Sequence, residues 1–168
     1  RGGQDAAAAG MALGAHVLRG APPPPGAVVS GFWPLAGEID IRPLLYALRL
    51  RGHPVALPIT PSKGEALSFR LWEPGQAMVR ERFGTMAPTG GAAEPSYLLV
   101  PLLAFDGACR RLGYGAGYYD RTLAALPGAT AVGVAFAAQR VDRVPTGPYD
   151  IPLHAVATER GVIRPEPV

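Results

Sequence analysis

The stretch Tyr97-Leu98-Leu99-Val100-Pro101-Leu102-Leu103, followed after a short break by Arg111-Leu112-Gly113-Tyr114-Gly115-Ala116-Gly117-Tyr118-Tyr119-Asp120-Arg121, decides the fold. Its first part is an unbroken apolar run of strand length. A strand with one wet face would alternate apolar with polar residues, so a continuous run fits a sheet buried on both faces. Gly113 to Gly117 is a glycine-rich turn, and Tyr118–Leu126 reads as the helix it opens. Thr130–Phe136 then repeats the buried-strand pattern. Strand, turn, helix and strand in that order form the crossover that joins parallel strands.

Working outward, Met11, Leu13, His16, Val17 and Leu18 recur at helical spacing until Gly20 and the prolines Pro22–Pro25 stop the helix. Ala27–Trp33 is a short β-rich run closed by Pro34. Ile41, Leu44, Leu45 and Leu48 share one helical face, with Pro43 in the first turn and Gly52 just beyond the end. Val55–Ile59 and Leu67–Trp72 read as strands separated by a turn, and Ala155–Thr158 and Val162–Ile163 as short strands at the end. Glu73 to Pro95 reads as a long surface loop with one short helix. The expected architecture is α/β, a mainly parallel sheet flanked by helices. Ligands of such sheets gather beyond the carboxyl ends of the strands, which favours the loops Pro34–Asp40 and Ala104–Asp120.

A length of 168 residues fits one compact domain, and 22 Gly with 19 Pro, scattered between apolar runs, act as turn punctuation. The net charge is +3, carried almost wholly by arginine, with Lys63 the only lysine. That balance suits an anionic small molecule. Basic residues do not cluster with interleaved aromatics, which weighs against nucleic acid. Cys109 is the only cysteine, so an internal disulfide and a cysteine-built zinc site are excluded, and a reducing cytoplasm is the expected setting. The sequence holds no apolar run of the ~20 residues that cross a bilayer. The alanine-rich start, Ala6–Gly20, lacks a signal-peptide layout, so no membrane partner is expected.

Three glycines at alternate positions, 113, 115 and 117, let backbone N–H groups approach an anion, and the following helix adds its positive end. Physically this is a phosphate cradle or, on the plainer reading, a tight strand-to-helix turn. It is not a P-loop, since no Gly-Lys-Ser/Thr follows. It is not the dinucleotide fingerprint, since Tyr118 stands where the third glycine belongs. Gly115 and Gly117 are expected to need either unusual dihedrals or close approach to a phosphate. Asp120 and Asp150 are hard ligands of the kind magnesium takes, although each alone reads as a helix-start or turn aspartate. Glu38 could hold an N–H-rich ring, or sit in the first turn of the next helix where acids are favoured. Trp33, Trp72, Phe69 and Tyr118 could stack on a flat ring or fill the core. His16 and His53 read as packing and turn residues, and His154 is left open. Ser30, Ser62, Ser68 and Ser96 lack a nucleophile elbow, which weighs against a serine hydrolase.

Leu102-Leu103-Ala104-Phe105-Asp106 followed by Arg111 through Arg121 resembles the signature of the 5-formyltetrahydrofolate cyclo-ligase family nearly residue for residue. Supporting matches run in the family's order: Gly37-Glu38-Ile39-Asp40, Phe69-Arg70-Leu71-Trp72, Phe83-Gly84 leading to Pro88, Asp150-Ile151-Pro152-Leu153, and Thr158-Glu159. Cys109 stands where that family usually has Gly, and His154 where Asp is common. The chain is expected to be a single domain over 1–168, without the family's basic N-terminal helix.

The resemblance implies an α/β fold similar to that of the NagB, ribose-5-phosphate isomerase and CoA-transferase group. It implies an ATP- and magnesium-dependent enzyme of one-carbon metabolism that closes 5-formyltetrahydrofolate, with or without a polyglutamate tail, to 5,10-methenyltetrahydrofolate. On that resemblance Arg111 and Tyr118 are catalytic, and Arg111, Leu112, Gly113, Tyr114, Gly115, Ala116, Gly117, Tyr118 and Tyr119 line the ATP site. Trp33 and Glu38 contact the folate, joined by Tyr114 to Tyr118, and Asp120 and Asp150 lie at magnesium. Monomer and homodimer both stay open. The competing readings are a sugar-phosphate isomerase or CoA-transferase-like enzyme on the same fold, a silent nucleotide- or folate-binding protein, and, more distantly, an RNA-binding module.

Overall fold

The structure is a computed structural model, and it describes residues 3–81 and 86–166. In chain order the elements are α1 (Gly3–Gly20), β1 (Val29–Ser30), α2 (Arg42–Leu50), β2 (Val55–Ile59), β3 (Ser68–Trp72), β4 (Met78–Arg80), β5 (Met86–Pro88) and β6 (Ala92–Ala93). There follow β7 (Tyr97–Pro101), β8 (Ala104–Phe105), β9 (Arg111–Leu112), α3 (Tyr118–Ala125), β10 (Thr130–Val134), β11 (Ala155–Thr158) and β12 (Gly161–Ile163).

Eight strands form the main sheet in the order β12-β11-β10-β7-β1-β2-β3-β6. The neighbours from β11 through β2 run parallel, while β12, β3 and β6 add antiparallel edges. The expected mainly parallel α/β sheet is therefore present, and the period of the strand explains its two-sided burial. Tyr97 and Leu99 of β7 join Val132, Val134, Leu13, Val17, Leu44, Leu45 and Leu48 on the face covered by α1 and α2. Leu98 and Val100 point the other way, into a second cluster with Ala131, Phe105, Cys109 and Leu123 under α3. Each fully buried Leu or Val side chain contributes about 1.5–3 kcal/mol.

The helices start and stop as their residues require. Pro43 falls in the first turn of α2, and Gly52 follows its end at φ +93°. Helix α1 lies against α2 and the β11–β12 edge. Its closest approach is at Gly10, where a Cβ would lie 1.7 Å from the carbonyl oxygen of Asp40. The glycine lets α1 press directly on the loop after β1.

Two expectations need correction. The run 27–33 pairs in the sheet only over Val29–Ser30, because the chain then swings across α2: a Cβ on Gly31 would meet Leu45 at 2.5 Å. The span 73–95 holds no helix among its described residues. Strands β4 and β5 form an antiparallel pair and β6 extends the sheet beside β3. The Phe83-Gly84 match lies outside the described residues. No helix among the described residues is long and apolar enough to cross a membrane.

Candidate functional site

A cavity of about 720 Å³ opens where the parallel strands end at their carboxyl side. Phe32, Trp33, Leu35 and Glu38 from the loop after β1 form one wall, and Arg111 to Asp120 form the opposite one. Pro58, Thr60 and Lys63 reach it from β2 and the loop after it, Pro101 from β7, and Pro145 and Asp150 from the β10–β11 connection. Both loops favoured by the sequence thus face the same space.

The glycine turn is shaped by sterics at three positions. A Cβ on Gly113 would stand 2.6 Å from Nη1 of Arg111, so the glycine leaves room for that guanidinium. Gly115 has φ +99°, and Gly117, the N-cap of α3, has φ +73°. These are left-handed conformations that favour glycine, in line with the unusual dihedrals expected there. Arg111 folds back under the turn with its side chain only 5% exposed. Its guanidinium lies 5.6 Å from the Tyr119 ring centroid, and its Nη2 is 3.5 Å from Oδ1 of Asp120. Neither Arg111 Nε nor the Tyr119 hydroxyl, both buried, finds a hydrogen-bond partner among the described residues. Leaving a buried polar group unpaired costs about 1–3 kcal/mol. Two such groups on the wall of one cavity, one of them cationic, suit a polar, anionic ligand. Burial raises the Tyr119 phenol above its ordinary pKa, opposed by Arg111. The Tyr118 hydroxyl turns to the β2–β3 loop, 3.5 Å from the Pro61 carbonyl.

Both aspartates line this space. Oδ1 of Asp120, in the first turn of α3, accepts the N–H of Ile151 at 3.2 Å. Oδ2 of the exposed Asp150 accepts the N–H of Gly147 at 2.7 Å. Among the described residues no three His, Cys, Asp or Glu side chains come together to cage a metal. Two carboxylates lining one cavity fit magnesium, which takes one or two protein carboxylates and completes its shell with water and phosphate.

Glu38 does not start a helix. It closes a turn with Leu35, and α2 begins at Arg42 with no acid in its first turn. Its Oε1 accepts the Leu35 N–H at 2.6 Å and its Oε2 accepts the Tyr114 hydroxyl at 2.7 Å. Trp33 is fixed edge-on to Trp72 at 5.8 Å, with the Arg42 guanidinium 5.4 Å above its ring. Arg42 in turn is held by Asp40 at 2.9 Å. That hydrogen bond lowers the Asp40 pKa, against a smaller opposing effect of burial.

Other candidates lie elsewhere. Phe69 and Trp72 are core residues, and Ser30 is fully buried in β1. Buried His53 meets the Ala27 carbonyl through Nδ1 at 3.0 Å, while Nδ1 of His154 accepts the Ala131 N–H at 3.0 Å. Cys109, with φ +59°, takes the left-handed conformation that a glycine would take at that turn. Sequence reasoning assigned no role to Asp106. Its fully buried carboxylate accepts the N–H groups of Ala108, Arg110 and Val144 and the Nε–H of Arg110, all at 2.8–3.1 Å. It ties the start of the β8–β9 turn to the loop near 144. An aspartate directly after an apolar run was the signal that could have found it.

Fold and cavity together define an open-sheet α/β protein with a cavity of small-molecule size at the carboxyl edge of its parallel strands. The sequence pattern of the 5-formyltetrahydrofolate cyclo-ligase family matches residues 5–159, and the chain belongs to that enzyme family. It is 34% identical over 139 residues to the 5-formyltetrahydrofolate cyclo-ligase of Escherichia coli K12, covering 77% of this chain and 76% of that protein. It is 34% identical over 126 residues to the Haemophilus influenzae cyclo-ligase, covering 70% and 67%. The NMR structure of Aquifex aeolicus 5,10-methenyltetrahydrofolate synthetase superposes with a TM-score of 0.80 at 28% identity, covering 98% of this chain and 84% of that one.

Proposed function

We propose that this protein converts 5-formyltetrahydrofolate to 5,10-methenyltetrahydrofolate, consuming ATP and releasing ADP and phosphate. The observation that carries the reading is the buried Arg111, with an unpaired Nε, on the wall of a cavity whose opposite wall carries a carboxylate, Glu38. One wall suits phosphate. The other suits the N–H edge of a reduced pterin.

In this reading the formyl oxygen attacks the γ-phosphate and ADP leaves. N10 then attacks the phosphorylated formyl carbon and gives up its proton, and phosphate leaves with that proton as the ring closes. Such chemistry needs positioning and charge stabilisation more than a protein nucleophile. Arg111 and the N–H groups of Gly113 to Gly117 hold the phosphates, with Leu112, Tyr118 and Tyr119 completing that wall. Trp33 and Glu38 hold the folate against residues 114–118, and Tyr118 sits between the two substrates. Asp120 and Asp150 would hold magnesium, which when bound neutralises phosphate charge. A cytoplasmic setting supplies both ATP and reduced folate.

The test is to mix the protein with 5-formyltetrahydrofolate, ATP and magnesium and follow the absorbance of the methenyl product. Turnover that requires all three is expected; binding without turnover overturns the assignment. Glu38→Gln should lower folate use about tenfold or more, since a charged bidentate contact is worth about 1.5–3 kcal/mol. ATP affinity and melting temperature should stay unchanged.

A further inference from the structure

We infer that Tyr114 is a positioning residue that presets the Glu38 carboxylate for the donor edge of the substrate. This rests on the folate role of Glu38 proposed above. The two residues are 76 positions apart in the chain, yet the Tyr114 hydroxyl donates to Oε2 at 2.7 Å while the Leu35 N–H donates to Oε1 at 2.6 Å. A carboxylate has about four acceptor positions, two per oxygen. One bond on each oxygen fixes the plane of the group and leaves an acceptor position free on each. That is the arrangement a bidentate acceptor requires before a pair of N–H donors arrives.

The remaining features of Tyr114 agree with this role. The residue is 55% exposed, so core packing does not account for its place. It stands between Gly113 and Gly115, and the left-handed φ of +99° at Gly115 lets the turn aim the ring across the cavity mouth. Among the described residues its hydroxyl bonds only to Glu38. A half-exposed glutamate held by Leu35 alone keeps more rotational freedom, and that freedom is lost again each time substrate binds. Tyr114 removes the cost in advance. Its effect therefore falls on folate binding and leaves the later chemical steps alone.

The experiment is a double-mutant cycle on Tyr114→Phe and Glu38→Ala, with Glu38→Gln beside it, read by calorimetric affinity for 5-formyltetrahydrofolate and by KM and kcat. Tyr114→Phe alone should raise the folate Kd and KM about three- to tenfold, the range expected for one lost hydrogen bond. Its kcat, ATP KM and melting temperature should hold. In the Glu38→Ala background, where no side-chain acceptor is left for the hydroxyl, the same change should add less than about twofold. An undiminished Tyr114→Phe effect in the Glu38→Ala background would mean that the hydroxyl acts on the substrate directly and not through Glu38, which overturns the positioning role. A lowered KM would make the bond a latch that competes with substrate, and that too overturns the role. If Glu38→Gln weakens folate binding and Tyr114→Phe does not, this inference fails alone. If Glu38→Gln has no effect, the folate role of Glu38 fails with it.

Discussion

Asp106 lies outside the cavity wall, but the turn that carries Arg111 depends on it. Burial by itself raises its pKa; the bonds from Val144, Arg110 and Ala108 together outweigh that and hold the pKa below the usual 3.8. A carboxylate whose folded pKa is depressed contributes stability above its unfolded pKa, and that stability is lost as pH falls through the folded value. The melting temperature should therefore drop in acid, from about pH 5 downward, and Asp106→Asn should flatten that limb. At neutral pH the same variant should cost about 2–4 kcal/mol, because an amide turns an N–H toward donors that had a carboxylate partner. Thermal melts across pH check both outcomes. Little of this was legible in the chain, because Val144 is 38 residues from Asp106. Glu38 shows the same limit. Its neighbours in sequence suggested a helix start, and the Tyr114 bond that defines its surroundings is invisible to any local pattern.

At the scale of elements, the pressing of α1 onto the loop after β1 connects the fold to the site. In an exposed helix interior, Gly to Ala stabilises by about 1 kcal/mol. At Gly10 the sign should reverse, since the added Cβ would overlap the Asp40 carbonyl oxygen. Gly10→Ala should destabilise by about 1–3 kcal/mol and raise the folate KM more than the ATP KM, because the shifted loop carries Glu38. Denaturant unfolding and steady-state kinetics on the variant test this. Gly14→Ala on the same helix meets only ordinary contact with Leu44 at 3.4 Å and should be tolerated. Elements with strong periodicity were readable in advance: α2 from its apolar stripe, β7 and β10 from runs buried on both faces, and α3 from the glycines before it. The strands of 73–95 were not, because two or three residues are too few to display a period of two. Only their pairing, β4 with β5 and β6 with β3, makes them strands.

For the molecule as a whole, the sheet is one wall shared by two apolar clusters. Trp72 lies in the cluster under α1 and α2, with Trp33 packed against it, and Cys109 lies in the cluster under α3. Strand β7 contributes alternate residues to each, so neither face can come apart while the other stays whole. Tryptophan fluorescence and access of a thiol reagent to Cys109 should therefore give the same denaturant midpoint. Fully buried, with burial pushing its thiol up to about 11, Cys109 should resist labelling in the folded protein near pH 8. Separate midpoints would show the two faces to be independent folding units.

The distance along the chain between Glu38 and Tyr114 also sets a clock during synthesis. A ribosome adding about 5–20 residues per second takes about 4–15 s to pass from one to the other. For that interval Phe32, Trp33 and Leu35 are already made while the glycine turn that will face them has no existence. The nascent chain thus carries half a cavity, an apolar surface whose facing wall is still to be made.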